Sequence, residues 1–211
     1  MDGNNRWSKK NKISKFEAYK TGSQNLLKIA EYLFGNYELK YISAFALSSN
    51  NLNRNSKLIK ILKRVFEYFI DDVISSKQKE FSIEIIGNLS FLDNKVISKT
   101  KDYLKKQKKI YNRLIILINY SGQKDIENAS KYLLKNKNYK SSIANFLSTK
   151  DFPNPDILFR SGGFQRLSNF MLYEIAFTEL FFSKKLWPDI NNSDIKRVIS
   201  RYYKTERKFG F

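Results

Sequence analysis

Polar segments that contain arginine are the feature of this sequence with the clearest chemical meaning. The chain uses lysine freely, with 30 Lys against 9 Arg, yet four of the arginines fall inside three short polar segments. A planar guanidinium group matches phosphate oxygens with two parallel hydrogen bonds, whereas a lysine ammonium acts as a point charge. Arginine at these places therefore indicates phosphate recognition. The segments are MDGNNRW at 1–7, SSNNLNR at 48–54 and RSGGFQRLSNF at 160–170, and their arginines are Arg6, Arg54, Arg160 and Arg166.

The third segment also contains a pair of glycines. The stretch RSGG at 160–163 follows an apolar run of strand type and precedes a stretch that we predict to be helical. Glycines let backbone N–H groups approach an anion, and a helix N-terminus attracts one. A glycine pair after a strand is more often simple turn chemistry. The prediction of an anion site therefore depends on the neighbouring Arg166 and Ser168, which add a cation and a hydroxyl group.

Two missing residue types limit what the chain can do. The sequence contains neither cysteine nor histidine. Disulfides, thiolate catalysis and cysteine-bound metals are therefore excluded, and a general base must be a carboxylate, tyrosine, lysine, water or the substrate itself. Any metal must be held by oxygen atoms, which suits Mg²⁺, Ca²⁺ or Mn²⁺.

The net charge of +19 would ordinarily suggest a nucleic-acid partner, because a basic surface gains affinity by releasing counterions from phosphates. The lysines are scattered over nearly every segment, however, and the chain is also rich in Ile, Asn and Tyr. That mixture is typical of a codon bias toward AT-rich DNA. We therefore predict no nucleic-acid partner and keep a basic RNA-binding module as the weaker alternative.

The predicted elements bring the polar segments to one edge of a sheet. Compact apolar runs alternate with segments of helical period, which predicts an α/β fold with a parallel β-sheet flanked by helices, in a single domain over residues 1–211. The carboxyl ends of such strands form a ligand crevice. We therefore expect the polar segments to meet there. The predicted strands are Leu39–Leu47, Phe81–Ile86, Leu114–Asn119 and Asp156–Phe159, and the predicted helices are Ser23–Phe34, Ser56–Ser75, Asn94–Lys106 and Ser193–Lys208.

The sequence also predicts where the protein works. No apolar run is long enough to span a bilayer, and the first residues, MDGNNRWSKKNK, lack the apolar core of a secretory signal. We therefore predict a cytoplasmic protein.

The polar segments, read in chain order, resemble the signature of the cis-prenyltransferases, the family that includes bacterial undecaprenyl diphosphate synthase. The resemblance covers nearly the whole chain and is most specific in its third block. It implies a dimer, expected here as a homodimer, and a hydrophobic tunnel, lined in part by the helix Ser56–Ser75, that holds a growing isoprenoid chain. The matching blocks are MDGNNRW, ALSSNNLNR, DILFRSGGFQRLSNFMLYEIAFTELFFSKKLWPDI and TERKFGF.

The resemblance also implies a reaction. In this family the double bond of isopentenyl diphosphate attacks C1 of an allylic diphosphate such as farnesyl diphosphate, diphosphate leaves and a proton is lost. Mg²⁺, arginines and backbone N–H groups neutralise the leaving group. The implied product is a cis-polyprenyl diphosphate that partitions into a membrane, where it would serve as a precursor of a glycan carrier lipid. The enzyme would be cytoplasmic and peripheral at that membrane.

The family's functional residues map onto this chain position by position. Asp2 and Asn51 are implied to be catalytic, and Asp2 and Glu179 are implied to bind Mg²⁺. Gly3, Asn4 and Arg6 would cradle the allylic diphosphate. The residues implied to bind isopentenyl diphosphate are Arg160, Arg166 and Ser168, and further substrate-binding positions are Trp7, Lys15, Tyr19, Ser48 and Arg54.

Some positions depart from the family pattern, and they leave a second reading open. A non-catalytic subunit of a heteromeric prenyltransferase would keep the fold and lose the chemistry. The retained phosphate-binding residues count against that alternative, whereas the departures favour it. The departures are Asn5, Lys15, Tyr19, Asn50, Leu52, Phe164, Gln165 and Lys208.

The resemblance further implies a buried strand directly before the MDGN segment. Loss of an inner strand would leave two rows of backbone groups unpaired. We therefore expect that translation begins upstream of Met1.

Overall fold

The computed structural model describes residues 1–49, 56–76, 80–108, 110–137 and 140–206. In this part of the chain, six α-helices and five strands follow one another, with strands and helices alternating through the middle as predicted. The helices are α1 (Asn4–Lys10), α2 (Lys15–Asn36), α3 (Ser56–Ser75), α4 (Asn94–Lys106), α5 (Gly122–Lys135) and α6 (Asn192–Tyr202). The strands are β1 (Tyr41–Ser48), β2 (Ser82–Gly87), β3 (Arg113–Tyr120), β4 (Ile157–Arg160) and β5 (Glu179–Phe182).

The helix boundaries show which helix ends the apolar periodicity of the sequence could predict. Both α3 and α4 begin and end at the predicted residues, because their apolar stripes run to the last turn. Helix α2 begins eight residues before the predicted start, since Ser14 caps it by accepting a hydrogen bond from the Glu17 N–H. Helix α6 ends at Tyr202, earlier than predicted, and its cap is Asn191.

The strands form two parallel sheets, which confirms the predicted fold class. The first has the order β1-β3-β2, and the second pairs β4 with β5. Strand β5 was not among the predicted strands. Side chains of β3 alternate between two apolar clusters: Leu114, Ile116 and Ile118 pack with α2 and α3, whereas Ile115 and Leu117 pack with Met171. The central strand is thus buried on both faces, as parallel sheets require.

A cavity of about 1250 Å³ separates the two sheets. Its walls include β1 from Tyr41 to Ser48 and the whole of β4 from Ile157 to Arg160, so each sheet turns one edge strand toward it. The cavity is open to the polar segments at the carboxyl ends of both strands.

The predicted helix after Gly163 is wrong. The backbone from 164 to 178 forms turns, and three residues that are not glycine adopt left-handed conformations there: Ser168 (φ 53°), Asn169 (φ 67°) and Met171 (φ 39°). Left-handed residues interrupt a right-handed helix. Asn169 instead fixes the turn to α5, since its side chain donates to Ser121 Oγ and accepts from the Gln123 N–H.

Within the described residues, every helix is too short or too polar to cross a lipid bilayer.

Candidate active site

The segment at residues 1–7 is anchored beside the carboxyl end of β4. The Asp2 N–H donates to Ser161 Oγ at 3.1 Å, and the Ser161 hydroxyl donates to the Asp2 carbonyl oxygen at 3.1 Å. The Trp187 N–H donates to the same carbonyl at 3.0 Å. Ser161 is buried, so these bonds hold the backbone of Asp2 against a rigid part of the protein. Ser161 was not among the predicted site residues, although it lies inside the RSGG segment.

The Asp2 carboxylate is held between two arginines. Arg160 Nη2 donates to Oδ2 at 2.9 Å, and Arg6 Nη2 lies 3.5 Å from Oδ1. Partial burial alone would raise the pKa of the Asp2 carboxyl, but the Arg160 hydrogen bond and charge, together with the charge of Arg6, outweigh it and leave the pKa below its ordinary value. Asp2 is therefore ionised at neutral pH and can offer its oxygens to a cation.

Arg160 organises the rest of the cluster. Its Nη1 donates to Ser168 Oγ at 2.7 Å and to the carbonyl oxygen of Arg166. The side chain is only 14% exposed, which fixes its orientation between the two segments. The structure thus brings together four predicted residues, Asp2, Arg6, Arg160 and Ser168, from opposite ends of the chain.

Gly162 makes this close approach feasible. Its carbonyl accepts a hydrogen bond from Arg6 Nη2 at 2.7 Å, and its φ of +89° lies in the left-handed region that favours glycine. A Cβ atom here would lie 2.7 Å from Arg6 Nη2 and 3.0 Å from Asp2 Cβ. Any side chain at 162 would therefore push the arginine and the carboxylate out of place.

A second glycine positions Asn4 from within α2. A Cβ on Gly22 would lie 2.3 Å from Asn4 Oδ1, so only glycine accommodates the asparagine here. The Gly22 carbonyl also accepts a hydrogen bond from Trp187 Nε1 at 2.7 Å. Gly22 and Trp187 were missed by the sequence analysis. A glycine inside a helical pattern was the available signal.

Apolar side chains lie directly beside the polar cluster. A cavity of about 80 Å³ between α2, α3 and the sheet shares Met1, Asn4 and Tyr19 with the large cavity. Helix α3 lines it through Leu62, Val65, Phe66 and Phe69, and the tunnel that the resemblance implies stays a prediction. The apolar residues around it are Leu26, Ala46, Leu47, Leu62, Val65, Phe66, Phe69, Phe91, Ile116, Ile118 and Trp187.

The remaining predicted residues lie in different surroundings. Tyr19 and Ser48 line the large cavity together with Gly3, Asn4 and Arg166. Trp7 donates from Nε1 to Asp189 Oδ1 at 2.6 Å, and Lys15 is exposed at the first turn of α2. The predicted Asn51 and Arg54 lie outside the described residues.

Glu179 is not in contact with Asp2 within one chain. It is the first residue of β5 and pairs with Ile157, whereas Arg160, which contacts Asp2, pairs with Phe182. Three residues of a strand span about 10 Å. A shared metal site of Asp2 and Glu179 therefore stays a prediction.

Asp2 by itself is compatible with a magnesium ion. Mg²⁺ keeps several waters and commonly binds one or two carboxylates together with substrate phosphates. An ionised carboxylate beside arginines suits that mode, because the arginines and the ion would hold the same phosphate groups. Among the described residues, no three acidic side chains converge to form an all-protein metal site.

The site and fold together define a class of protein. An ionised carboxylate and several guanidinium groups adjoin apolar cavities at the carboxyl ends of parallel strands, an arrangement suited to a substrate with a phosphate head and an apolar tail. The chain belongs to the undecaprenyl diphosphate synthase family, which it matches over residues 1–210, and is thus a cis-prenyltransferase family member as the resemblance implied.

Individual relatives agree with this assignment. The chain is 33% identical to an isoprenyl transferase of Thermotoga maritima over 219 residues, covering all of this chain and 94% of that protein. It is 34% identical to dehydrodolichyl diphosphate synthase 4 of Arabidopsis thaliana, covering all of this chain and 77% of that protein. Among solved structures, it resembles lavandulyl diphosphate synthase from Lavandula x intermedia in complex with dimethylallyl diphosphate, with a TM-score of 0.87, 27% identity, and coverage of 100% of this chain and 95% of that one.

Proposed function

We propose that this protein condenses isopentenyl diphosphate with an allylic diphosphate such as farnesyl diphosphate to give a cis-polyprenyl diphosphate. The observation that supports this most strongly is the convergence of Asp2, Arg6, Arg160 and Ser168 beside an apolar cavity. The two chemical halves of a prenyl diphosphate, a polyanionic head and an apolar tail, thus have matching surroundings at one place. Family membership favours the same activity.

The proposed reaction makes one carbon–carbon bond. The double bond of isopentenyl diphosphate attacks C1 of the allylic substrate, the C1–O bond breaks, and diphosphate leaves with the electron pair. The added five-carbon unit then loses a proton to water or to the released diphosphate. The residues of this chain bind and orient: Arg6 and Gly3 at the allylic diphosphate, and Arg160, Arg166 and Ser168 at isopentenyl diphosphate. Holding two reactants in the correct orientation can supply a large part of the rate enhancement of a reaction between two substrates.

We further propose that Asp2 holds Mg²⁺, with Glu179 as its second carboxylate. A bound Mg²⁺ would neutralise charge on the departing diphosphate. Removal of divalent cations with a chelator should therefore abolish turnover, and added Mg²⁺ should restore it. We retain the homodimer, the carrier-lipid role and the membrane-peripheral cytoplasmic location as parts of this proposal.

Replacement of Asp2 by asparagine tests the proposal directly. The D2N variant keeps the shape of the side chain and removes the charge, so we expect turnover to fall on the order of 100-fold or more while the protein stays folded. The assay incubates the protein with Mg²⁺, labelled isopentenyl diphosphate and farnesyl diphosphate and sizes the products. Circular dichroism checks the fold.

A matched control is D71N, which removes a carboxylate from an exposed ion pair with Lys99. This variant should keep full activity, because surface pairs contribute little. Undiminished activity in D2N would refute the assigned role of Asp2. A well-folded wild-type protein that elongates no substrate would instead support the alternative of a non-catalytic subunit.

A further inference from the structure

The ring of Phe164 contacts two guanidinium groups of the candidate site. Arg6 Cζ lies 4.9 Å and Arg166 Cζ lies 4.0 Å from the ring centroid. Both distances are within the range in which the negative face of an aromatic ring attracts a cation. Phe164 itself is 41% exposed, so the ring and the two arginines are accessible to a ligand.

The two arginines retain hydrogen-bonding capacity. Arg6 uses Nη2 for the Gly162 carbonyl and for Asp2. The guanidinium group of Arg166 contacts the ring of Phe164. Within the described residues, that guanidinium group donates no hydrogen bond. A phenyl ring holds the face of a guanidinium group and accepts no hydrogen bond from its edge. The N–H edge of Arg166, and the N–H groups of Arg6 other than those on Nη2, are thus left for an anion.

The side chain at this position decides how the two cations are held. A carboxylate at 164 would accept hydrogen bonds from arginine N–H groups and cancel part of their charge. Phenylalanine attracts both guanidinium groups without adding a further negative charge beside them. Two like charges near one ring repel each other, and diphosphates bound to the two arginines would relieve that repulsion.

We propose that Phe164 is a positioning residue that links the two diphosphate sites, because its ring holds Arg6 of the allylic site and Arg166 of the isopentenyl diphosphate site at the same time. This inference rests on the proposed function for the identity of the two substrates. It predicts that loss of the ring weakens the binding of both substrates together, while the chemical step is little changed.

The test compares F164L, which removes the ring, with F164Y, which keeps it. We expect F164L to raise the KM for both substrates about two- to fivefold each, with kcat within a factor of two, since one cation–π contact has roughly that effect on an exposed arginine. F164Y should retain wild-type KM values. Y132L serves as the control, because Tyr132 is an exposed aromatic residue on α5 that stacks on Phe146.

A binding measurement separates this proposal from the proposed function. Titration calorimetry with inorganic pyrophosphate should show several-fold weaker binding for F164L than for the wild type and F164Y. It should also show a smaller effect of F164L when Arg166 is already replaced by glutamine, because coupled residues are not additive. If the wild-type protein elongates no substrate but F164L still binds pyrophosphate more weakly than the wild type, the positioning role is supported. Only the proposed function is then overturned.

Two results would overturn the positioning role. One is wild-type pyrophosphate affinity and wild-type KM values in F164L. The other is an equal loss in F164Y and F164L, which would show that the aromatic ring is not the feature that matters.

Discussion

At the scale of single residues, the site depends on contacts that tolerate few substitutions. The Asp2 carbonyl accepts hydrogen bonds from Ser161 Oγ and the Trp187 N–H, and the Asp2 carboxylate accepts one from Arg160. Because these partners hold Asp2 through separate atoms, the carboxylate is fixed before any ligand arrives. Preorganised charge of this kind needs no rearrangement when a ligand binds.

Gly162 provides a prediction at this scale. In G162A, the Cβ atom would clash with Arg6 and Asp2, and the left-handed backbone would be strained. We expect kcat/KM to fall by about tenfold or more, measured in the elongation assay. G35A is the control, because the nearest atom to its Cβ would be Glu80 Oε2 at 3.9 Å, and alanine favours the helix. Equal activity of G162A and G35A would contradict the structural role of Gly162.

At the scale of elements, α6 is anchored at its start by a buried carboxylate. Asp194 accepts hydrogen bonds from the Asn191 N–H at 3.1 Å and from Lys185 Nζ at 2.8 Å, and Asn191 in turn caps the helix. Burial alone would raise the pKa of Asp194, but the Lys185 hydrogen bond, the Asn191 N–H and nearby cations lower it below its ordinary value. The helix therefore starts at a fixed place.

The pH dependence of stability follows from this shift. A carboxyl group whose pKa is lower in the folded state stabilises the fold at pH values above its unfolded pKa of about 3.9. This contribution is lost as the pH falls through the lower pKa of the folded state. We expect D194A to lower the free energy of unfolding by about 1–3 kcal/mol at pH 7. The difference from wild type should shrink below about pH 4. Urea unfolding at several pH values measures it, and a difference that is constant with pH would contradict the assignment.

At the scale of the whole molecule, the two sheets are separated by a cavity bordered by β1 and β4. Each of these strands has one side without a strand partner in the described structure, and unpaired backbone groups that are shielded from water are costly. The Met1 amino group lies at the same place, where burial lowers its pKa to about 6. Met1 and Asp2 thus border the same large cavity.

Periodic patterns along the chain were enough to predict the elements whose apolar signal repeats locally. The apolar stripe of α3 and the apolar run of β3 predicted a helix and a buried parallel strand, because burial of one face recurs with the period of the backbone. Arg6 and Arg160 indicated phosphate binding, because the guanidinium group that binds phosphate is known from the residue type alone.

The way in which these parts meet depends on contacts between distant segments of the folded chain. The contacts of Asp2 with Ser161 and of Arg6 with Gly162 join residues more than 150 positions apart, and no local pattern records such a distance. The turns after Gly163, predicted as a helix, arise because docking against α5 favours left-handed residues over helical propensity. The stacking of both arginines on Phe164 likewise depends on packing between segments, which residue types alone do not specify.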